Sequence, residues 1–90
     1  MPDRMSQKVA TLTPRHRQIV RLISLGCSVP EIAAILGLAE ATVDNHRTAA
    51  MGRLGVEKAT ALTRIAIKHR ISPLTDSLTA TEKRKARRAK

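Results

Sequence analysis

Between residues 28 and 54 the chain carries the punctuation of two helices, and the join between them is too short for anything but a tight turn. Ser28-Val29-Pro30-Glu31 reads as a capping box. The serine oxygen can accept from the backbone N–H of Glu31, and the glutamate can reach back to the backbone N–H of Ser28. Ile32, Ala33, Ile35 and Leu36 then recur at helical spacing and predict the inner face of a helix of about two turns. Gly37 ends that helix, because a left-handed terminator is strained by a Cβ. Leu38-Ala39 follows, and a longer helix is predicted from about Glu40 to Leu54. Its apolar residues Val43, Ala50 and Leu54 share one side. At about 100° per residue, Ala41, Asp44, Asn45, Thr48 and Gly52 fall on the opposite side, which is polar or small throughout.

Two flanking helices complete the predicted fold. Thr13-Pro14 is an N-cap followed by a proline at the first helical position, where its missing N–H costs nothing. Ile19, Val20, Leu22 and Ile23 form the stripe of this first helix, and Gly26 terminates it. After Gly55 a fourth helix is predicted over about residues 59–70, with Leu62, Ile65 and Ala66 facing inward. Thr60, Thr63 and Ile67 make a second, flatter face on it, and Ile67 there has no evident place in a core. The expected fold class is all-α: a four-helix bundle in which the second and third helices form a helix-turn-helix.

The ends of the chain differ from this segment. Residues 1–10 are polar and without a clear period, and are read as a loose arm. The folded domain is placed at residues 11–72. Residues 73–90 contain Glu82-Lys83-Arg84-Lys85-Ala86-Arg87-Arg88-Ala89-Lys90 and few large apolar groups, and are read as a disordered or weakly helical basic tail.

Charge narrows the partner. Seventeen Lys and Arg against seven Asp and Glu give a formal net charge of +10, which favours a polyanion. No Phe, Tyr or Trp is present, so the core lacks rings, and RNA recognition by base stacking has no side chains to use. Cys27 is the sole cysteine, excluding an intramolecular disulfide, and its apolar setting predicts a small buried thiol. His16, His46 and His69 are too scattered for a metal motif. With no Gly-rich phosphate loop and no paired carboxylates, neither catalysis nor a cofactor is expected. No signal peptide or long apolar run occurs, so the expected location is cytoplasmic, with no membrane partner.

The outer face of the third helix can read base edges in the major groove of B-DNA. Asn45 can pair with adenine through its amide, Asp44 can accept from a cytosine amino group, and Thr48 can hydrogen-bond or touch a thymine methyl. Arg47 stands at the edge of the apolar stripe, where its stem can pack while its head reaches a phosphate.

One ordered set of short motifs runs through the chain: Leu12-Thr13-Pro14-Arg15, Gly26-Cys27-Ser28, Glu31-Ile32-Ala33, Leu36-Gly37-Leu38, Thr42-Val43-Asp44-Asn45-His46-Arg47-Thr48 and Leu54-Gly55-Val56. Over residues 11–71 this closely resembles the LuxR/FixJ-type (GerE-like) DNA-binding domain of bacterial transcription regulators. The resemblance implies sequence-specific binding of double-stranded DNA, with the third helix in the major groove and the fourth commonly forming a homodimer on a two-fold site, the same helix whose spare face is Thr60, Thr63 and Ile67. It carries groove contacts to Asp44, Asn45 and Thr48, a phosphate-side place to Thr42, and a packing or DNA-backbone role to His46. RNA polymerase is a further candidate partner.

The chain departs from that family at four positions. His16 stands where Glu is usual and cannot close a capping box with Thr13. Ala59 replaces a frequent Arg or Lys. Ala39 replaces a Ser or Thr cap, a loss of about 1 kcal/mol. Asp44 replaces a common Lys, which alters sequence preference. The family often carries a receiver or ligand-binding domain, so the chain is either a stand-alone effector or a fragment of a response regulator. The alternatives are a promoter-binding module like region 4 of a sigma factor, and a helical protein-interaction module built on the fourth helix.

Overall fold

The computed structural model describes residues 4–69, 71 and 77–88. These form six helices: α1 (Arg4–Ala10), α2 (Pro14–Ser24), α3 (Val29–Leu36), α4 (Glu40–Leu54), α5 (Ala59–Lys68) and α6 (Ala80–Arg87). No strand occurs among the described residues. The four helices expected from sequence are α2 to α5, and their starts follow the local chemistry. Thr13 Oγ1 accepts from the His16 N–H at 3.1 Å. Ser28 and Glu31 close both halves of the α3 capping box. Ala39 gives α4 no side-chain cap, as the missing hydroxyl predicts. Gly37 takes φ 68°, the left-handed conformation that stops α3 and turns the chain into α4.

Helix α2 is the central post. Its Val20 enters one core cluster with Leu12, Ala50, Leu54, Leu62 and Ala66. Its Ile19 and Leu22 enter a second with Ile32, Ala33, Ile35 and Val43. Helix α4 spans both clusters, Val43 at its start and Ala50 and Leu54 at its end. The orientation of α4 is thus fixed at two points by a core it shares with α2, α3 and α5. Cys27 is half-buried against the second cluster and is more accessible than its apolar neighbours suggest.

Both chain ends depart from the sequence reading. Residues 4–10, read as a loose arm, form α1 against α4. Val9 is buried in the first cluster and Met5, one turn earlier, packs beside it. The Arg17 guanidinium donates to the Val9 carbonyl at 3.1 Å and Arg53 to the Thr11 carbonyl at 2.6 Å, so the turn after α1 is held from two sides. Within the segment read as a tail, residues 80–87 form α6, which packs on α3. Thr79 and Glu82 close its capping box, Ala86 is buried in the second cluster, and Leu78 packs at its edge. Arg21 of α2 grips Glu82 with both terminal nitrogens, at 2.7 and 3.1 Å. Those hydrogen bonds hold the Glu82 carboxyl below the usual carboxylate range, against the opposing effect of its burial.

Candidate nucleic-acid interface

The site expected from sequence lies on α4, and each of its residues has a determined setting. Val43, Ala50 and Leu54 are fully enclosed, so the rest of α4 turns outward. Asp44, Asn45 and Thr48 are exposed on that outer side, while Thr42, His46 and Arg47 are half-buried along its margins. Gly52 continues the exposed side, and a Cβ built on it would meet nothing within 4 Å. The packing of the domain itself therefore does not require glycine there. A mid-helix glycine costs about 1 kcal/mol relative to alanine, and what it leaves is a low surface that another molecule can approach closely.

Two of these residues bind each other. The Arg47 guanidinium pairs with Asp44 Oδ1 one turn earlier on α4. The pair is exposed enough to be screened and contributes little to stability. Its effect is on presentation: Arg47 is held against the outer face, and Asp44 keeps its second oxygen for another donor. Arg47 Nε is buried and has no partner among the described residues, so the stem packs as expected of an amphipathic side chain. Arg47, Thr48, Met51 and Gly52 line a shallow open depression with Val56 and Glu57 of the loop that follows.

His46 points to the other margin and meets His16 of α2 edge-to-face, with ring centroids 5.3 Å apart. His16 is 7% exposed. Its burial, reinforced by the charge of Arg53 and by His46, pushes the imidazole below its ordinary value. Folding therefore favours the neutral ring. Stability is fully present above the ordinary histidine value and declines as pH falls from there through the lowered folded value. Thermal unfolding at pH 7.5 and pH 5.5 should show a lower midpoint at the acid pH. His16→Gln removes this titration and supplies the side chain that completes a capping box with Thr13. That variant should lose the part of the pH dependence in this window. An unaltered acid slope would place its origin elsewhere.

On α5 the three residues expected to form a second face are accessible: Thr60 is exposed, Thr63 is half-buried and Ile67 is 38% exposed. Thr63 Oγ1 donates to the Ala59 carbonyl one turn back at 3.0 Å. Among the described residues Ile67 is the exposed large hydrophobic side chain. Leu62 and Ala66 are the buried stripe, and Ile65 is half-buried beside them. No cluster of three or more metal-ligating side chains occurs among the described residues. No described helix is long and apolar enough to cross a membrane.

Sequence reasoning missed α6 and the Arg21–Glu82 clamp. The signal was present as Thr79-x-x-Glu82, the signature of a capping box. The basic residues after it drew the reading toward disorder.

A short capped helix, a left-handed glycine and a longer helix with a polar, small-residue outer face define a helix-turn-helix domain of the DNA-binding class. The chain belongs to the luxR family of bacterial regulatory proteins: residues 10–66 match the family described as GerE, bacterial regulatory proteins, luxR family. That family is one of DNA-binding domains of transcription regulators. The chain is 39% identical over 71 residues to the transcriptional regulatory protein MctR of Rhizobium johnstonii, an alignment covering 79% of this chain and 33% of MctR. It is 45% identical over 53 residues to the transcriptional regulatory protein UhpA of Escherichia coli K12, covering 59% and 27% of the two chains. It is 32% identical over 68 residues to the response regulator UvrY of Escherichia coli K12, covering 76% and 31%. The matched segment thus spans about a third or less of each of these relatives. No solved structure matches the chain.

Proposed function

We propose that the chain binds double-stranded DNA sequence-specifically as the effector of a bacterial transcription regulator, with α4 entering the major groove and α5 joining two copies on a two-fold site. The observation that carries this reading is the exposed row Asp44, Asn45, Thr48 and Gly52 on a helix whose opposite side is locked into the core. Amide, carboxylate and hydroxyl groups are the side-chain chemistry that distinguishes base edges in the groove. Thr42 and Arg47 are assigned to the DNA backbone, and His46 to support of the helix from behind through His16. Relatives described as transcriptional regulatory proteins and as a response regulator support the same role. Such a role places the protein in the cytoplasm, with RNA polymerase as a further candidate partner.

Anisotropy titrations with duplex DNA test the binding reading. Affinity should fall steeply with salt, about 10³-fold between roughly 50 and 200 mM if about six phosphates are neutralised. Absence of any salt-sensitive duplex binding would overturn it.

Ile67→Asp tests the dimer. An exposed isoleucine can be replaced by a carboxylate without opening the monomer core, so helical content should be retained. Binding to a palindromic two-site duplex should weaken about tenfold or more, because a charge is now desolvated at the contact. Binding to a single half-site should not change. Equal loss on both duplexes would remove α5 from the dimer contact.

A further inference from the structure

Helix α6 lies outside the part of the chain that matches the luxR family, which ends at residue 66. It is docked, not dangling: Ala86 is buried in the α2–α3–α4 core cluster and Arg21 grips Glu82. Docking sorts its charges. The only acidic side chain of α6 is spent on Arg21, whereas Lys83, Arg84, Lys85, Arg87 and Arg88 are all exposed. At about 100° per residue, Arg84 and Arg88 point directly away from Ala86, with Lys85 and Arg87 on either flank. The result is a ridge of four exposed cations, Arg84, Lys85, Arg87 and Arg88, on a docked helix, with Lys83 nearer α3. Glu31 borders the shallow depression beside Lys83 and Arg87, but its Oε1 is held by the N–H and hydroxyl of Ser28.

The position of this ridge follows from what α3 touches. Helix α3 packs on α4 and on α6. In a helix-turn-helix the first helix crosses the DNA backbone while the second occupies the groove. With α4 in the groove, α3 is the helix that crosses the phosphate backbone, and α6 is packed on that same helix. Complementary charge selects the occupant: a row of phosphates, repeating along the duplex.

We propose that α6 is a second DNA-binding element of this protein, a docked basic ridge that grips phosphates of the duplex outside the stretch read by α4. The proposal rests on the DNA-binding reading of α4 above. It differs from a loose basic tail in requiring that α6 be held in place. A loose tail attracts DNA by its charge alone, so any added positive charge strengthens binding. A docked ridge loses its phosphates when it is released, even if charge is gained.

Glu82→Ala and Ala86→Lys separate these cases. Both raise the net charge by one. The first breaks the Arg21 clamp and the capping box, and the second places an ammonium where 5% exposure leaves no room for one. Neither replaces a residue of α4, of α5 or of the groove face. Ala86 shares its core cluster with Val43 of α4, so Glu82→Ala, which alters only the Arg21 clamp and the α6 cap, is the arm that leaves the α4 core unaltered. Each variant should bind duplex DNA about three- to tenfold more weakly than wild type, with a flatter salt slope. Its hydroxyl-radical footprint should lose the flanking phosphates while retaining the central ones. The charge-removing pair Arg84→Ala and Arg88→Ala should shorten the footprint in the same way. Wild-type affinity or tighter binding in Glu82→Ala and Ala86→Lys would overturn the ridge and leave the α4 reading intact. A wild-type protein that binds no duplex would overturn the α4 reading first. Tighter binding of structured RNA than of duplex DNA, lost in the same variants, would assign the ridge to RNA and overturn its assignment to DNA.

Discussion

Leu54→Ala is expected to lower the free energy of unfolding by about 2–5 kcal/mol. Leu54 is 1% exposed, ends α4, and packs among Val9, Leu12, Val20, Leu62 and Ala66. Those neighbours come from α1, α2 and α5 and the turn after α1, so few of them can move into the space without giving up other contacts. Domains of this kind are stable by about 5–15 kcal/mol, and a core with no aromatic ring has little surplus. The variant should therefore unfold at a clearly lower urea concentration with an unchanged dependence on denaturant. DNA affinity should fall only in proportion to the unfolded fraction. Ile67→Ala, at an exposed site, is the comparison and should stay within about 0.5 kcal/mol of wild type as a monomer. A loss under about 1 kcal/mol for Leu54→Ala would contradict the enclosed setting of that side chain.

Asn45→Ala is expected to weaken binding to the preferred DNA site by about 1–3 kcal/mol and to relax selectivity at one base position. Asn45 is exposed on α4, and alanine preserves the helix while removing one donor group and one acceptor. Folding should be untouched. Arg47→Ala should act differently. Arg47 is paired with Asp44, so its loss removes a cation and also leaves the Asp44 carboxylate unneutralised near the phosphates. Binding should weaken across all sequences with little change in preference. A series of duplexes carrying single base substitutions, titrated with both variants, separates the two behaviours. If Asn45→Ala leaves affinity and preference unchanged, α4 does not enter the groove by this face.

Helices α2 to α5 were legible because their boundaries are local. Thr13-Pro14, Ser28 to Glu31, Gly37 and Gly55 act within a few residues of themselves, and the structure puts caps and left-handed turns there. The outer face of α4 was legible for the same reason: once Val43, Ala50 and Leu54 point inward, the 3.6-residue period assigns the rest. The setting of His16 was not. Its sequence position shows an unfinished capping box, whereas its contact with His46 and the charge of Arg53 come from helices brought together by the core.

The two chain ends divide most sharply. The sequence by itself determined that residues 79–88 are rich in basic groups and carry the Thr79-x-x-Glu82 capping signal, while residues 1–10 showed no clear period. It could not determine that either segment is helical, because isolated helices of seven or eight residues do not offset their ordering entropy in water. Tertiary structure decided both. Val9 finds the pocket around Leu54, and Ala86 finds the one around Ile32. Glu82 finds Arg21 across 61 residues of sequence. Burial of one small side chain and one charge-assisted pair converts a run of cations from a tail into a surface of fixed shape.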